Sequence, residues 1–342
     1  MTTGAADIGT KRDLTFVTIT FRDELDLLRL QARSMAAFLP PSMVGEILVV
    51  VNDRDEAAVA AEVEAMRGDY GPLADRLRVV AGTALFRWDV GPGGPLHWLR
   101  RAQAWHPRLA FRSPGTAWRG HGGWKIQQVC KMAVYREVTT DWTVLLDSKI
   151  HFLNPVSPAD FFSATGQPRL ICNPREEARE DWLAPSFRQF GLTPADAGPR
   201  VVNGIMPLPI RTRLLGQVTE AVEERAGPLQ VLFAVHRQGE TEAMLINAYC
   251  VAEYGSLEAE FDTARPLPPV IMRTTTSELI DVALDRVAAG EATLALHRAS
   301  VARLTAAQRG KLVALWRRAG LVGSEAEAAA FLDGAPLAGV AS

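Results

Sequence analysis

At 342 residues, 48% of them hydrophobic and 22% charged, the chain is long enough for one large core or two modest ones. A net charge of −2 gives no overall basic field, which argues against broad nucleic-acid binding and leaves room only for a local basic pocket. Cys130, Cys172 and Cys250 are widely spaced with no Cys-x-x-Cys or Cys/His cluster, so they read as buried thiols in a reducing compartment.

Residues 1–13 are expected to be a flexible N-terminus. They lack a basic start followed by an apolar stretch, so no signal peptide is expected. No apolar run approaches the roughly 20 residues needed to span a bilayer. The expected location is the cytoplasm, with the inner face of the membrane as the alternative. The first strand is Leu14 to Thr20, rich in β-branched residues, and Arg22 to Phe38 repeats apolar residues at helical spacing before Pro40-Pro41. Glu46 to Val51 is a second strand, Asp55 to Arg67 an alanine-rich helix, and Leu77 to Val80 a third strand. Such alternation predicts a mostly parallel sheet flanked by helices.

A long irregular region, 82–123, follows, holding Gly91, Gly93 and Gly94 among prolines and a possible helical part within 96–105. A loop of that length reads as a lid or acceptor-binding insertion. Trp124 to Val138 is predicted helical. Ile126, Val129, Cys130, Ala133 and Val134 form its apolar face, opposite Trp124, Gln128, Lys131 and Tyr135. The run Trp142 to Asp147 is a further strand, ending in Asp147-Ser148-Lys149. Beyond Pro155 the predicted strands are Leu170 to Cys172, Val201 to Met206 and a short one at Ala292 to Leu296. The predicted helices are Arg211 to Glu224, Thr241 to Tyr254, Ser277 to Ala289 and Thr305 to Ala319. The prolines of Pro266-Leu267-Pro268-Pro269 read as a rigid connector. The basic segment Arg303 to Arg318, with Leu304, Leu312, Leu315 and Trp316, reads as a helix packed on the main domain; peripheral contact with an anionic membrane is the alternative.

Common nucleotide motifs are missing. No Gly-x-Gly-x-x-Gly follows the first strand, and no Gly-x-x-x-x-Gly-Lys-[Ser/Thr] loop occurs. A nucleotidyltransferase is disfavoured by the absence of a Gly-rich, basic loop after that strand.

In order, Thr18-Ile19-Thr20-Phe21-Arg22-Asp23, Val50-Val51-Asn52-Asp53, Gly123-Trp124-Lys125-Ile126-Gln127-Gln128 with Lys131, Leu146-Asp147-Ser148-Lys149 and Glu240-Thr241-Glu242 make a set. This set resembles GT-A-type glycosyltransferases, and within them a bacterial DUF6492-like family with a Gly-Trp-x-x-Gln-Gln-x-x-Lys helix, an Asp-Ser-Asp turn and an acidic helix. The resemblance spans about 14–300. It implies an α/β, GT-A-like domain with a nucleotide-binding half at about 14–155 and an acceptor half at about 156–300. A helical C-terminal extension would occupy 301–342.

The implied activity is transfer of a sugar from a UDP-, GDP- or dTDP-linked donor to a hydroxyl of a glycan or small molecule, in bacterial polysaccharide or secondary-metabolite assembly. Thr20, Arg22, Asp23, Asn52 and Asp53 would line the crevice at the strand ends, with Asp23 or Asp53 reading base or ribose. Trp124 would stack on a base or wall off a sugar, and Lys125, Gln128 and Lys131 would reach phosphate beside Ser148. Metal-using relatives hold Mg²⁺ or Mn²⁺ on two acidic positions. Here Lys149 replaces the second. One charge pair at about 4 Å and an effective dielectric near 20 is worth roughly 4 kcal/mol, so an ammonium can supply part of what a metal gives a departing diphosphate. The expectation is therefore metal-independent transfer without a cofactor, with Asp147 and Lys149 at the reacting centre and an arginine, Arg298, helping to clamp phosphate. A residual metal site on Asp147 with His151 or His297 is the alternative. Glu242, with Glu240 as fallback, is the candidate base for the acceptor hydroxyl. Asn203-Gly204 and Met206-Pro207 would form an acceptor-side loop. A non-catalytic nucleotide-sugar or glycan-binding relative is the rival reading.

Overall fold

The computed structural model describes residues 13–87, 122–235 and 239–337. Residues 1–12, the glycines at 91, 93 and 94 and the possible helix within 96–105 lie outside the described residues.

The main sheet is built from long apolar runs. β1 (Leu14–Thr20) is buried at every position, and α1 (Leu25–Phe38) follows a short 3₁₀ turn at Arg22–Glu24. β2 (Val44–Val51), α2 (Glu56–Ala65) and β3 (Leu77–Ala81) come next, close to their expected bounds. The chain resumes with α3 (Gly122–Ala133), shorter than expected because Val134–Arg136 tightens into a 3₁₀ turn, and then β4 (Trp142–Asp147), also buried throughout. β1 pairs in parallel with both β2 and β4, and β2 with β3. Strands covered on both faces read as unbroken apolar runs, which is why β1, β4 and most of β2 were legible; β3, at the sheet edge, is half-buried beyond Leu77.

The remaining strands are short. β5 (Ile150–Phe152) turns away from β4, β6 (Arg169–Pro174) follows, and then α4 (Glu180–Arg188). β7 covers only Arg200–Val202, so the strand expected to reach Met206 stops at Asn203 and continues as a loop. β8 (Leu208–Arg211) closes the main sheet antiparallel to β4, giving the order β3-β2-β1-β4-β8. α5 (Thr212–Ala226), α6 (Leu229–Val235) and α7 (Glu242–Tyr254) are followed by β9 (Asp262–Arg265) and β10 (Val270–Ile271). α8 (Ser277–Ala288), β11 (Thr293–Leu296), α9 (Arg298–Val301), α10 (Ala306–Arg318) and α11 (Glu325–Leu332) complete the chain. Two small sheets, β10-β11-β5 and β7-β6-β9, flank the main one. The architecture is α/β with a mostly parallel main sheet and C-terminal helices.

α1 serves two cores. Leu25, Leu28 and Met35 pack with the main sheet, while Leu27 and Leu30 belong to a second core with Leu153 and the layer α8 to α11. That second core joins residues on both sides of position 300. Leu312, Leu315 and Trp316 of the basic helix are buried in it, so its apolar face is already covered. Its charges pair locally, Lys311 with Asp281 and Asp285, and Arg309 with Asp333. Among the described residues no helix is long and apolar enough to cross a membrane. All three cysteines are free and buried, as expected.

Candidate functional site

The carboxyl edge of the parallel sheet gathers Thr20, Asn52 and Asp147 at the ends of β1, β2 and β4. Ligands of open α/β sheets sit at this edge. Beside it lies a cavity of about 360 Å³ whose walls include Trp124, Lys131, Asp147, Lys149, Asn203 and Glu242.

At its floor four charges form a chain. Lys149 Nζ lies 2.8 Å from Asp147 Oδ2, Lys131 Nζ 2.8 Å from Asp147 Oδ1, and the same Lys131 3.1 Å from Glu242 Oε1. Gln127 Nε2 adds a hydrogen bond to Asp147 Oδ1 at 3.0 Å. Burial alone would raise the Asp147 pKa, but Lys131 and Lys149 outweigh it and hold the carboxyl well below the usual range. Burial likewise opposes the charge on Lys131, and Asp147 and Glu242 overcome it, raising its pKa. The two lysines differ in access: the Lys131 side chain is 4% exposed and that of Lys149 23%. Lys149 is thus the better placed of the two to meet a ligand.

The turn carrying Lys149 is fixed from α1. Gln31 Nε2 donates to the carbonyls of Asp147 (2.8 Å) and Ile150 (3.0 Å), while its Oε1 accepts from Thr18 Oγ1. Ser148 Oγ donates to Glu24 Oε2. Burial pushes the Glu24 carboxyl pKa up, partly offset by the Ser148 bond, with Asp147 adding to the rise. Glu242 sits in the first turn of α7, whose N-cap Thr241 accepts from Met244 N–H, and its own N–H donates to Gln128 Oε1.

Trp124, Gln128, Lys131, Asp147, Lys149 and Glu242 are therefore brought together as expected from the sequence, and Asn203 and Gly204 reach the same cavity. Gln128 and Lys131 are buried within this network. Met206, expected in the acceptor-side loop, is instead fully buried in the core. Lys125 points elsewhere: its Nζ donates to the Glu240 carbonyl and lies over Phe233 as well as Trp124, and burial lowers its pKa. Arg22, Asp23, Asn52 and Asp53 are not among the cavity walls. Asp53 Oδ1 accepts from the Asp55 N–H within its own turn, and its Oδ2 accepts from the Arg22 N–H, tying that turn to the loop after β1. Arg22 pairs with Glu62, and Arg298 donates to the Asp23 carbonyl. Asn52 Nδ2 donates to the Gly123 carbonyl, while Asn52 Oδ1 and Thr20 Oγ1 are buried without partners among the described residues. Glu240 is fully buried, with Gln189 on one oxygen.

The donor set does not fit a divalent ion. Both Asp147 oxygens accept ammonium groups. His151 faces the second core, its ring 6.5 Å from that of Trp316, so it is not a companion ligand. His297 does come close, because Leu296 N–H donates to the Lys149 carbonyl. Its Nδ1 accepts from Ala299 N–H as a helix cap, which leaves the proton on Nε2 in the neutral ring. Burial, then Lys149 and Arg273, lower the His297 pKa.

Sequence reading missed Glu24, Gln31, Arg179 and Trp182. Arg179 and Trp182 line the cavity mouth from α4 and its N-cap. The sole signal for Glu24 was its place after the first strand.

Fold and site together define an α/β protein with a charged cavity at the carboxyl edge of a parallel sheet. Residues 14–277 match DUF6492, described as a family of unknown function, and the chain belongs to that family. No curated protein matches it.

Proposed function

We propose that this protein is a GT-A-like glycosyltransferase that moves a sugar from a nucleotide-sugar donor to a hydroxyl of a glycan or small-molecule acceptor, without a divalent ion. The observation that carries this reading is the pairing of Lys149 with Asp147 at the end of a central parallel strand, in the same cavity as Glu242.

Lys149, the more exposed of the two lysines, is placed to meet a diphosphate as it gains charge on departing, while Lys131 stays paired with Asp147 and Glu242. Glu242 takes the acceptor hydroxyl proton. The acceptor oxygen then bonds to the sugar's anomeric carbon as the bond from that carbon to the phosphate oxygen breaks, and the nucleoside diphosphate leaves with the electron pair. Lys131, touching both Asp147 and Glu242, keeps the base and the phosphate side in register.

Turnover of a panel of UDP-, GDP- and dTDP-sugars in EDTA, beside Mn²⁺, tests this. Activity in EDTA is expected; loss on chelation with recovery in Mn²⁺ would sink metal independence. Lys149→Ala should slow turnover, whereas Lys149→Asp should make it respond to Mn²⁺. A second reading, a nucleotide-sugar or glycan-binding relative without catalysis, is favoured by the ammonium contact on each of Asp147 and Glu242. Nucleotide binding with no transfer or hydrolysis across the panel would select it.

A further inference from the structure

We infer that Asn173 and Asn203 recognise a neutral ligand by two hydroxyls on adjacent carbons, holding it in the cavity that Glu242 also lines. That this ligand is the acceptor rests on the glycosyl-transfer reading; recognition of the hydroxyl pair does not.

Asn173 lies near the end of β6, and Asn203 follows the last residue of the antiparallel β7. Both are half-buried in the cavity wall, and Asn203 Nδ2 donates to Asn173 Oδ1. The two amides make no other side-chain hydrogen bond among the described residues. That leaves N–H donors on both and an acceptor at Asn203 Oδ1. The pair is also fastened to the helix that carries Glu242. Asn203 N–H donates to the Ile171 carbonyl (2.9 Å), and Val202 N–H to Asn247 Oδ1 on α7 (3.2 Å). Gly204 then turns the chain at a φ of +79°, which side chains disfavour, beside Ala243 in the first turn of α7. One strand, loop and helix thus set the amides and Glu242 together.

A hydroxyl both donates and accepts, so two of them on neighbouring carbons match a donor set beside an acceptor. Ile205, Ala243 and Met244 line the same cavity and suit the C–H groups between such hydroxyls. An anionic ligand would instead meet the carboxylates of Glu177 and Glu242. Arg179, the cation of the cavity mouth, is held by Asp181 at 2.5 Å and lies 4.1 Å from the centre of the Trp182 ring. Lys131 and Lys149 gather on Asp147. Nor do the indoles serve a flat ligand: Trp124 packs on Trp182, 5.6 Å between centroids, with Lys125 Nζ 5.2 Å from its own centre. Their neighbours are each other and these cations, which leaves recognition at this end to the amides.

Saturation-transfer NMR titration of the full chain tests this, with methyl glycosides of glucose, galactose, mannose and N-acetylglucosamine, each also lacking one ring hydroxyl at a time. UDP, GDP and dTDP are titrated separately. At least one glycoside should bind saturably. Loss of either of two neighbouring hydroxyls should raise its Kd about three- to tenfold, as loss of one hydrogen bond does. Asn203→Ala should raise the Kd of the intact glycoside by a similar factor. Removing one of those two hydroxyls should then cost the variant less than about twofold further, because both deletions remove one shared interaction. Asn173→Ala should show the same loss of coupling if Asn203→Ala melts early. Diphosphate binding should be unchanged in both. A purely structural role would weaken every glycoside alike and keep the hydroxyl dependence. That result overturns the inference, as does an absence of glycoside binding or a loss confined to the diphosphates. Hydroxyl-coupled binding without any diphosphate binding would keep the inference and remove the transferase reading; diphosphate binding and sugar transfer without that coupling would do the reverse.

Discussion

Lys131→Met keeps the length and bulk of the side chain and deletes one buried charge. In the native protein that charge lies 2.8 Å from Asp147 and 3.1 Å from Glu242. Its loss leaves two buried carboxylates side by side, with Lys149 still on Asp147. Removing one partner of a buried ion pair costs about 3–5 kcal/mol, because the other is left uncompensated. Unfolding entropy near 2.1 cal/mol/K per residue gives roughly 0.7 kcal/mol/K for 342 residues, so Tm should fall by about 4–7 °C. The effect should depend on pH with a definite sign. Lys131 and Lys149 depress the Asp147 pKa, so its stabilisation is complete above the ordinary carboxylate value and fades as pH drops below about 4. The variant has less of that depression to lose, and its deficit should shrink in acid. Calorimetric melts of both proteins at pH 7 and pH 3.5 measure this. A deficit below about 1 °C at pH 7, or one of equal size at both pH values, would refute an electrostatic role for Lys131.

Gln31→Leu strips the hydrogen bonds from two buried carbonyls of the Asp147 turn and should cost about 2–3 kcal/mol, read as a lower urea midpoint, with weaker UDP or GDP binding. Unchanged binding would mean that strand pairing alone sets the turn. Burial holds the His151 pKa down at about 4, below the unfolded value near 6.5, so the protein should be fully stable above that value and lose about 3 kcal/mol as pH falls towards 4. His151→Phe should flatten this slope in urea titrations at pH 7.5 and 4.5; equal slopes in parent and variant would refute the assignment.

How much of this was legible in the sequence depended on range. β1, β4 and most of β2 could be read because continuous burial leaves a local trace, and the edge strand β3 because of its apolar Leu77, Val79 and Val80. β5, β8, β9 and β10, at two to four residues each, are short and broken by polar or proline residues or cut to a pair, whereas β7 and β11, which are no longer than these, lie in apolar runs that showed as strands. α4 was hidden by Pro185 inside it and a charged first turn. At the site, Lys131 and Glu242 could be named from motif order, but not that one salt bridge joins them. An aspartate after a strand, such as Asp53, looks the same in sequence whether it meets a ligand or holds backbone N–H groups, and only the fold shows that its two oxygens accept from Arg22 and Asp55. Glu24 and Trp182 gain their meaning from Ser148 and Trp124, far along the chain, and nothing local announces either meeting.

The double duty of α1 constrains where this protein can be cut. The family match ends at 277, which makes that position a natural place to truncate for expression. Such a fragment would lose α8 to α11 and present Leu27, Leu30 and Leu153 to water, together with Arg29 and Arg33, which now donate to the Leu337 and Leu321 carbonyls. A relative that ends near this point would need polar side chains at positions 27, 30 and 153, or a second polypeptide lying over them. Those three positions form a short sequence test for which members of the family carry a C-terminal helical layer.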